Sequence, residues 1–402
     1  MSAEMSWIVQ GGTNIRNQEF KKMGKSTASA LHFDSLVKEI GGFGRFQLIT
    51  CSLWVLFFGL AGWQYYITVY LITEMDHWCQ IPAFTHFNVS TLKHFAIPME
   101  KNRFGNEIFS KCHMYDYNYT DLGNNRTFVR VENMTTVPCK TWSYDTSVFK
   151  SSLISQFDLV CERRWMFTLV GTLFLAGNMI GSFASGFLAD RFGRKPVAAV
   201  LVLILSMSVI AGAVVHNFPA FLVFRFLVGA TINGAYQTLW SYILETMPIE
   251  KRSLAIFITM AGRVFKGITF VLAAFFIRNH VHLQITSGVV ILVPFISILL
   301  LPESPRWLIV KGRLQEAELV CKRIAKINNT KLSPTFSLEK VTMDDQEVNS
   351  SSKMPTVLDL FRTPRLRKHS IITWLAWGAL VFSAYGMQLN IGKIIPGDFY
   401  LN

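Results

Sequence analysis

Long apolar runs dominate this chain, separated by short basic segments and interrupted twice by long polar ones. A helix needs about 20 mostly apolar residues to cross a bilayer. Seven runs reach or approach that length: Phe46 to Ile72, Trp165 to Leu188, Pro196 to Val215, Phe218 to Leu244, Leu254 to Ile277, Ile285 to Leu301 and Ile371 to Leu389. The pattern predicts an all-α membrane protein. Residues 1–45 form a polar N-terminus, 46–72 a first membrane helix and 73–164 a long polar loop. Residues 165–301 supply helices two to six, 302–370 a second polar loop with helical segments, and 371–402 a seventh helix and the chain end.

Composition agrees with this layout. The 402 residues are 51% hydrophobic and 16% charged, against about 25% charged in soluble domains, and the mean hydropathy is +0.32. The 33 Phe and 10 Trp suit lipid-facing surfaces and interfacial belts. The net charge of +13 would suggest a nucleic-acid partner in a soluble protein. Here the apolar spans exclude that reading and place the cations in loops that hold membrane segments in position. Residues 1–40 lack the short apolar core of a cleavable signal, so the first span is expected to be an uncleaved anchor.

The two long loops differ in chemistry. The first holds Cys79, Cys112, Cys139 and Cys161, while the remaining cysteines, Cys51 and Cys321, lie elsewhere. An even set in one loop implies disulfides in an oxidising compartment, and four cysteines allow three pairings. The same loop carries Asn-x-Ser/Thr sequons at Asn88, Asn118, Asn125 and Asn133, which are glycosylated only on the lumenal side. Chance is the competing explanation, since the segment is rich in Asn and Thr. Zinc on these cysteines with His77, His86, His94 and His113 is disfavoured because no paired C-x-x-C occurs in the loop, so no metal is expected.

The second loop is basic throughout, with Arg306, Lys311, Arg313, Lys322, Arg323, Lys326, Arg362, Arg365, Arg367 and Lys368. Arg191, Arg194 and Lys195 after span two, Lys251 and Arg252 after span four, and Lys21 to Arg45 before span one fall on the same side by alternate counting. Arg278 is the exception. The positive-inside rule then puts the N-terminus in the cytosol and the cysteine loop outside. Sequons at Asn328 and Asn349 would face the cytosol unused. A seven-helix receptor would show the opposite charge parity.

Three segments on the basic side, and one arginine within a span, stand out. Span two ends Gly186-Phe-Leu-Ala-Asp190-Arg191-Phe-Gly193-Arg194-Lys195. Gly186 is read as a close-approach position, Asp190 as a partner for an arginine or a helix N-terminus, and Gly193 as a tight reversal. Span four contains Arg225, which is costly in lipid unless it faces a partner or snorkels. That span closes on Glu245, Pro248 and Arg252, where Glu245 needs a cation. After span six comes Leu301-Pro302-Glu303-Ser304-Pro305-Arg306-Trp307. An ordinary basic hairpin loop is the competing explanation of the Gly186–Lys195 segment.

Together these residues resemble the major facilitator superfamily. Gly44-Arg45-Phe46-Gln47, Trp142-Ser-Tyr144-Asp145, Gln156-Phe-Asp-Leu-Val-Cys161 and Pro302-Glu303-Ser304-Pro305-Arg306-Trp307 narrow the resemblance to the organic cation, anion and zwitterion transporter family. It runs from Gly44 to Asn402. It implies an N-terminal six-helix bundle plus a seventh span, whereas family members have twelve spans in two halves with the path between them. The implied function is alternating-access transport of small organic ions in the plasma membrane, by facilitated diffusion or exchange, with no cofactor and no enzymatic step. Gly186, Asp190, Arg191, Gly193, Arg194, Glu245, Arg252, Glu303 and Arg306 would latch the cytosolic side. The partners implied are a small organic ion and the lipid bilayer, and self-association into a homo-oligomer is compatible with them. The absent second half suggests a fragment, an incomplete gene model, or a non-transporting isoform that binds or regulates a full-length transporter.

Substrate contacts are sought among polar and aromatic residues inside spans. Trp63, Gln64, Tyr65 and Tyr66 in span one and Asn233, Tyr236, Gln237 and Trp240 in span four qualify. By resemblance, Tyr236, Trp240 and Trp377 line the central cavity. Interfacial belts and helix packing are the competing use of such rings. Arg263 and Lys266 share one face of span five, and Glu245 is the one acid found within the apolar runs. That balance points to an electropositive site for organic anions, with structural pairing or snorkelling as the alternative. No P-loop or nucleophile elbow accompanies them.

Overall fold

A computed structural model describes residues 34–71, 75–81, 93–94, 96–101, 106–117, 119, 134–146, 151–332, 338, 361 and 363–394. Among them, six helical segments are long and apolar enough to cross a membrane. The first apolar run becomes two helices, α1 (Arg45–Ala61) and α2 (Trp63–Leu71), joined at Gly62. After a short α3 (Leu153–Phe157) come α4 (Trp165–Phe192), α5 (Arg194–Val214), α6 (Phe218–Glu245), α7 (Arg252–Phe276) and α8 (His280–Leu300). Several extend past the apolar runs because backbone pairing continues until a breaker intervenes. Gly193, at φ +109°, separates α4 from α5. Asn279 caps the start of α8 by accepting from the Val281 N–H at 2.9 Å. The seventh apolar run lies within α11 (Pro364–Ile394), whose described side chains stand almost entirely exposed.

Lipid tails are as apolar as leucine, so hydrophobicity alone does not press these helices together; close packing and polar links must. Helix α6 packs against α4 and α5, α8 against α5 and α1, and α7 against α1. The α4–α6 crossing is built on glycine: a Cβ at Gly177 or Gly181 would collide with the backbone of Phe226 or Ala230, and one at Gly229 with that of Phe174. Gly186, the expected close-approach position, is exposed and would meet nothing within 4 Å. The crossing lies two turns earlier, at the Gly177-x-x-x-Gly181 spacing. Beside it Asn233 Nδ2 donates to Ser182 Oγ at 2.6 Å, and across the bundle Ser206 Oγ donates to the Gly288 carbonyl at 2.8 Å. Phe57, Phe174, Val202, Leu205, Ile232 and Ile291 fill the centre.

The cysteine loop adds strands to the otherwise helical fold. β1 (His77–Cys79) pairs with β6 (Trp142–Tyr144), β2 (Met99–Lys101) with β3 (Glu107–Phe109), and β4 (His113–Tyr115) with β5 (Thr136–Pro138), all antiparallel. Three-residue ladders are too short to persist alone. Two disulfides, Cys79–Cys139 and Cys112–Cys161, tie them together and settle the pairing that the sequence left open. Asp76 anchors the same region: burial opposes its ionisation, yet Lys111 at 2.8 Å and Lys93 at 3.8 Å hold its carboxyl below the usual range. The loop is seated on the bundle through Tyr144, whose hydroxyl donates to Asp158 at 2.9 Å. Burial and that carboxylate push the phenol above its ordinary value. His280, 2% exposed at the start of α8, bonds Ser151 at 2.9 Å and Gln156 at 2.7 Å. The sequons at Asn88, Asn118, Asn125 and Asn133 lie outside the described residues.

At the opposite, basic end, α9 (Pro305–Val310) and the amphipathic α10 (Leu314–Ile327) form a cap. Ala317, Cys321, Ile324 and Ala325 line the inner face of α10 and meet Leu36, Ile40, Phe46 and Trp307. Burial pushes the Cys321 thiol up to about 12, so it acts there as a small apolar group. Asn328 closes the cap. It accepts from the Phe46 N–H at 2.9 Å and donates to the Ile40 carbonyl and Gln47 Oε1, each at 3.1 Å. Gln47 in turn donates to the Thr246 carbonyl at 3.1 Å, which ties the first helix to the end of α6.

Two outcomes follow. Replacing Cys79 with Ser should free the thiol of Cys139, and not those of Cys112 or Cys161, for alkylation mapped by mass spectrometry. Gly181→Val should cost more than about 2 kcal/mol by overpacking and lower the melting midpoint in detergent by several degrees. Gly171→Val, on the same helix but facing open space, should leave it unchanged.

Candidate functional site

The interior of the spans is electropositive. Arg225, Arg263 and Lys266 lie well inside them, whereas the acids of the six described spans, Glu162, Asp190, Glu245 and Glu250, sit within a few residues of the span ends. Each internal cation is handled differently.

Arg225 is 2% exposed. One guanidinium nitrogen donates to Gln64 Oε1 at 3.2 Å, another to the Thr68 hydroxyl, and the group lies 4.8 Å from the Phe174 ring centroid. Its Nε has no hydrogen-bond partner among the described residues. Gln64 is itself fully buried and donates to Ser287 Oγ at 2.8 Å. Arg225 therefore neither snorkels nor meets a carboxylate here; it joins α6 to α2 and, through Gln64, to α8.

Lys266 lies among ring faces instead. Its Nζ is 4.6 Å from the centroid of Tyr66, 5.4 Å from Phe58 and 5.6 Å from Tyr65, within cation–π range. Among the described residues it makes no ion pair. The rings continue outward: Phe58 stacks on Trp54 at 4.8 Å, Trp54 meets Trp240 at 5.5 Å, and Tyr236 contacts Phe58 at 4.9 Å and lies parallel to Tyr65 at 6.3 Å. The phenol hydroxyls turn into the bundle, Tyr65 toward Asn178 Oδ1 at 3.4 Å and Tyr236 toward the Phe58 carbonyl at 3.3 Å. Trp63 Nε1 donates to Thr269 Oγ1 at 3.0 Å and holds α2 against α7 beside the cage. Arg263, three residues before Lys266, is exposed.

The basic end holds the second constellation. Arg194, 13% exposed, forks onto Glu245: Nε lies 3.2 Å from both carboxylate oxygens and Nη2 2.9 Å from Oε1. The guanidinium also pairs with Asp190 at 2.8 Å and donates to the Ala189 carbonyl at 2.7 Å. Glu303 Oε1 accepts from the backbone N–H groups of Arg194 at 3.0 Å, Lys195 at 3.2 Å and Ser304 at 2.8 Å, at the N-terminus of α5, where the helix dipole favours an anion. Ser304 Oγ donates to Glu245 Oε2 at 2.6 Å, and Trp307 Nε1 donates to the Asp190 carbonyl at 3.0 Å. One network thus joins α4, α5, α6 and α9.

Comparison with known proteins agrees with these motifs. The profile of the sugar (and other) transporter family matches residues 109–395. Solute carrier family 22 member 7 of Homo sapiens is 30% identical over 379 residues, covering 90% of this chain and 67% of its own length. Member 20 of Mus musculus is 32% identical over 376 residues, covering 90% and 65%. The β-alanine transporter of Drosophila melanogaster is 28% identical over 378 residues, covering 87% and 61%. This chain belongs to the organic cation, anion and zwitterion transporter family of the major facilitator superfamily. It spans about two thirds of the length of these curated relatives. Among solved structures, the major facilitator proton:xylose symporter XylE overlaps 48% of this chain and 46% of its own at TM-score 0.40 and 19% identity.

Within this transporter fold, the residues singled out by sequence separate into groups. Asp190, Gly193, Arg194, Glu245 and Glu303 come together at the basic end, as the motif implied. Arg252 does not join them, and its Nε is buried without a partner among the described residues. Arg306 points outward and Arg191 lies over Phe192, 5.4 Å from its ring. Ser304 and Trp307, which were not singled out, join the network through Glu245 and the Asp190 carbonyl. Tyr65, Tyr236 and Trp240 share the ring cluster near Lys266, with Asn233 beside it on Ser182. Gln64 lies apart, on Arg225. Trp377 stands 59% exposed on α11. Trp54 and Phe58 were not singled out from sequence; their spacing of four before the Gly62 join was the available signal.

Glu245→Ala should leave Arg194 half-buried without its forked partner and cost on the order of 3 kcal/mol. The Arg194→Ala, Glu245→Ala double variant should recover part of that loss. Melting midpoints of the four proteins in a double-mutant cycle measure the coupling.

Proposed function

We propose that this chain carries small organic anions, bearing a carboxylate or sulfate group, across the membrane by alternating-access facilitated diffusion or exchange. The observation that carries this reading is Lys266: a cation inside a span, ringed by Phe58, Tyr65 and Tyr66, with Arg263 one turn away and no carboxylate paired to it among the described residues. Coulomb attraction in such a partly dry setting is on the order of several kcal/mol at an effective dielectric of about 20. An anionic group compensates the lysine, and its flat apolar body lies against Tyr236, Trp240 and Trp54. Membership in the family supports the transport reading, and similarity to a β-alanine transporter supports a carboxylate-bearing substrate.

In this reading the basic end faces the cytosol and the disulfide loop the outside of the plasma membrane, by the charge parity of the loops. The Arg194–Glu245–Glu303 network holds the cytosolic ends of α4, α5, α6 and α9 together in one state and releases them in the other.

Uptake into cells tests the proposal, using labelled phenyl sulfate as the anion and labelled tetraethylammonium as the cation, with surface protein quantified. Saturable phenyl sulfate uptake is expected, falling about tenfold or more in the Arg263→Ala, Lys266→Ala double variant. Uptake of neither probe by the surface-expressed chain would overturn the transport reading. Phenyl sulfate uptake unchanged in the double variant would overturn the anion site.

A further inference from the structure

We infer that Lys266 is a tethered cation that occupies an aromatic cage and so sets the charge of what that cage accepts. The inference rests on the organic-ion reading above and names the residue that decides between its two charge classes. Faces of several aromatic rings converging on one point form the chemistry that recognises a quaternary ammonium. Here Phe58, Tyr65 and Tyr66 provide such faces at 5.4, 5.6 and 4.6 Å, and the chain's own ammonium fills the position an external cation would take. The hydroxyl of Tyr65 in the cage and that of Tyr236 beside it are bonded back into the bundle, at Asn178 and the Phe58 carbonyl. Tyr65 and Phe58 therefore offer the ammonium ring faces rather than oxygens. Ring quadrupoles stabilise the ammonium without neutralising it, so its charge stays available to an anion while the faces stay closed to a second cation. Arg263 in the same helix adds repulsion toward cations from the exposed side.

Gly62 makes this arrangement accessible. The lysine stem passes over the join between α1 and α2, and a Cβ at position 62 would collide with Lys266 Cδ and Cγ and with the Phe58 carbonyl. Any larger residue there displaces the stem or opens the join. Gly62 is thus a positioning residue for the tethered charge.

The test uses the full chain, purified in detergent, with tryptophan fluorescence of the Trp54–Trp240 pair reporting binding of phenyl sulfate and tetraethylammonium. Wild type should bind phenyl sulfate and show at least tenfold weaker binding of tetraethylammonium. Lys266→Met keeps the stem and removes the charge; it should weaken phenyl sulfate about tenfold and strengthen tetraethylammonium about tenfold. Lys266→Arg should restore the anion preference in part. Gly62→Ala, which keeps the lysine but obstructs its path, should move both affinities toward those of Lys266→Met. Melting curves confirm that each variant folds, and Lys266→Gln replaces the Met variant if that one does not. Loss of phenyl sulfate binding in Lys266→Met without any gain in tetraethylammonium binding would overturn the tethered-cation inference and leave the anion reading standing. Wild type binding both probes equally would overturn both.

Discussion

A charge inside a bilayer has no water to solvate it, and this constraint organises the molecule. Arg225, Arg263 and Lys266 all lie well within spans whose acids sit near the ends. A buried charge without compensation is expensive, and the two that pack into the bundle, Arg225 and Lys266, are handled differently. Arg225 is wrapped in neutral hydrogen-bond acceptors and a ring face. Lys266 is set among rings. Arg263 stays exposed. Arg194 shows what full compensation looks like, with a forked carboxylate, a second acid and a backbone carbonyl on one guanidinium. The contrast is between this arginine, paired with two acids at the end of the bundle, and a lysine inside it that meets ring faces and, among the described residues, no carboxylate.

The same constraint explains how the bundle holds together. Because lipid competes equally for leucine side chains, the helices are fixed by backbone contact at Gly177, Gly181 and Gly229 and by short polar bridges such as Ser206 to Gly288 and Gln64 to Ser287. The bridges are not spread evenly. Gln64 and Thr68 lie on α2, the half-helix after Gly62, and both hold Arg225, while Phe58 and Tyr65, on either side of that glycine, hold Lys266. The join at Gly62 is where two of the three internal cations, Arg225 and Lys266, meet one helix pair.

The polar ends follow ordinary soluble-protein chemistry. The loop between α2 and α4 gathers a small core of Ile81, Ala96, Ile97 and Tyr119, and two disulfides add covalent ties to its three-residue ladders. The basic cap has a small core around Trp307, Cys321 and Phe46, closed by the amide of Asn328. Asn328 opens a sequon in the sequence, yet its side chain is spent on Phe46, Ile40 and Gln47.

Hydrophobic runs and loop chemistry by themselves determined the membrane class and the positions of the six described spans. The same is true of the family, because its motifs are contiguous segments at helix ends where few residue types fit. The grouping of Asp190, Arg194, Glu245 and Glu303 was legible for the same reason: acids and bases at one membrane face tend to find one another. What only the tertiary structure decided are matters of distance between segments remote in sequence. The cysteine pairing is one. The crossing at Gly177 and Gly181 rather than Gly186 is another. A third is the division of one candidate group into two, with Gln64 on a buried arginine and Tyr65 on a half-buried lysine although they are adjacent in the chain. Neighbours one residue apart on a helix point about 100° apart, and which neighbour meets which cation depends on helices contributed from elsewhere, a fact that no local pattern encodes.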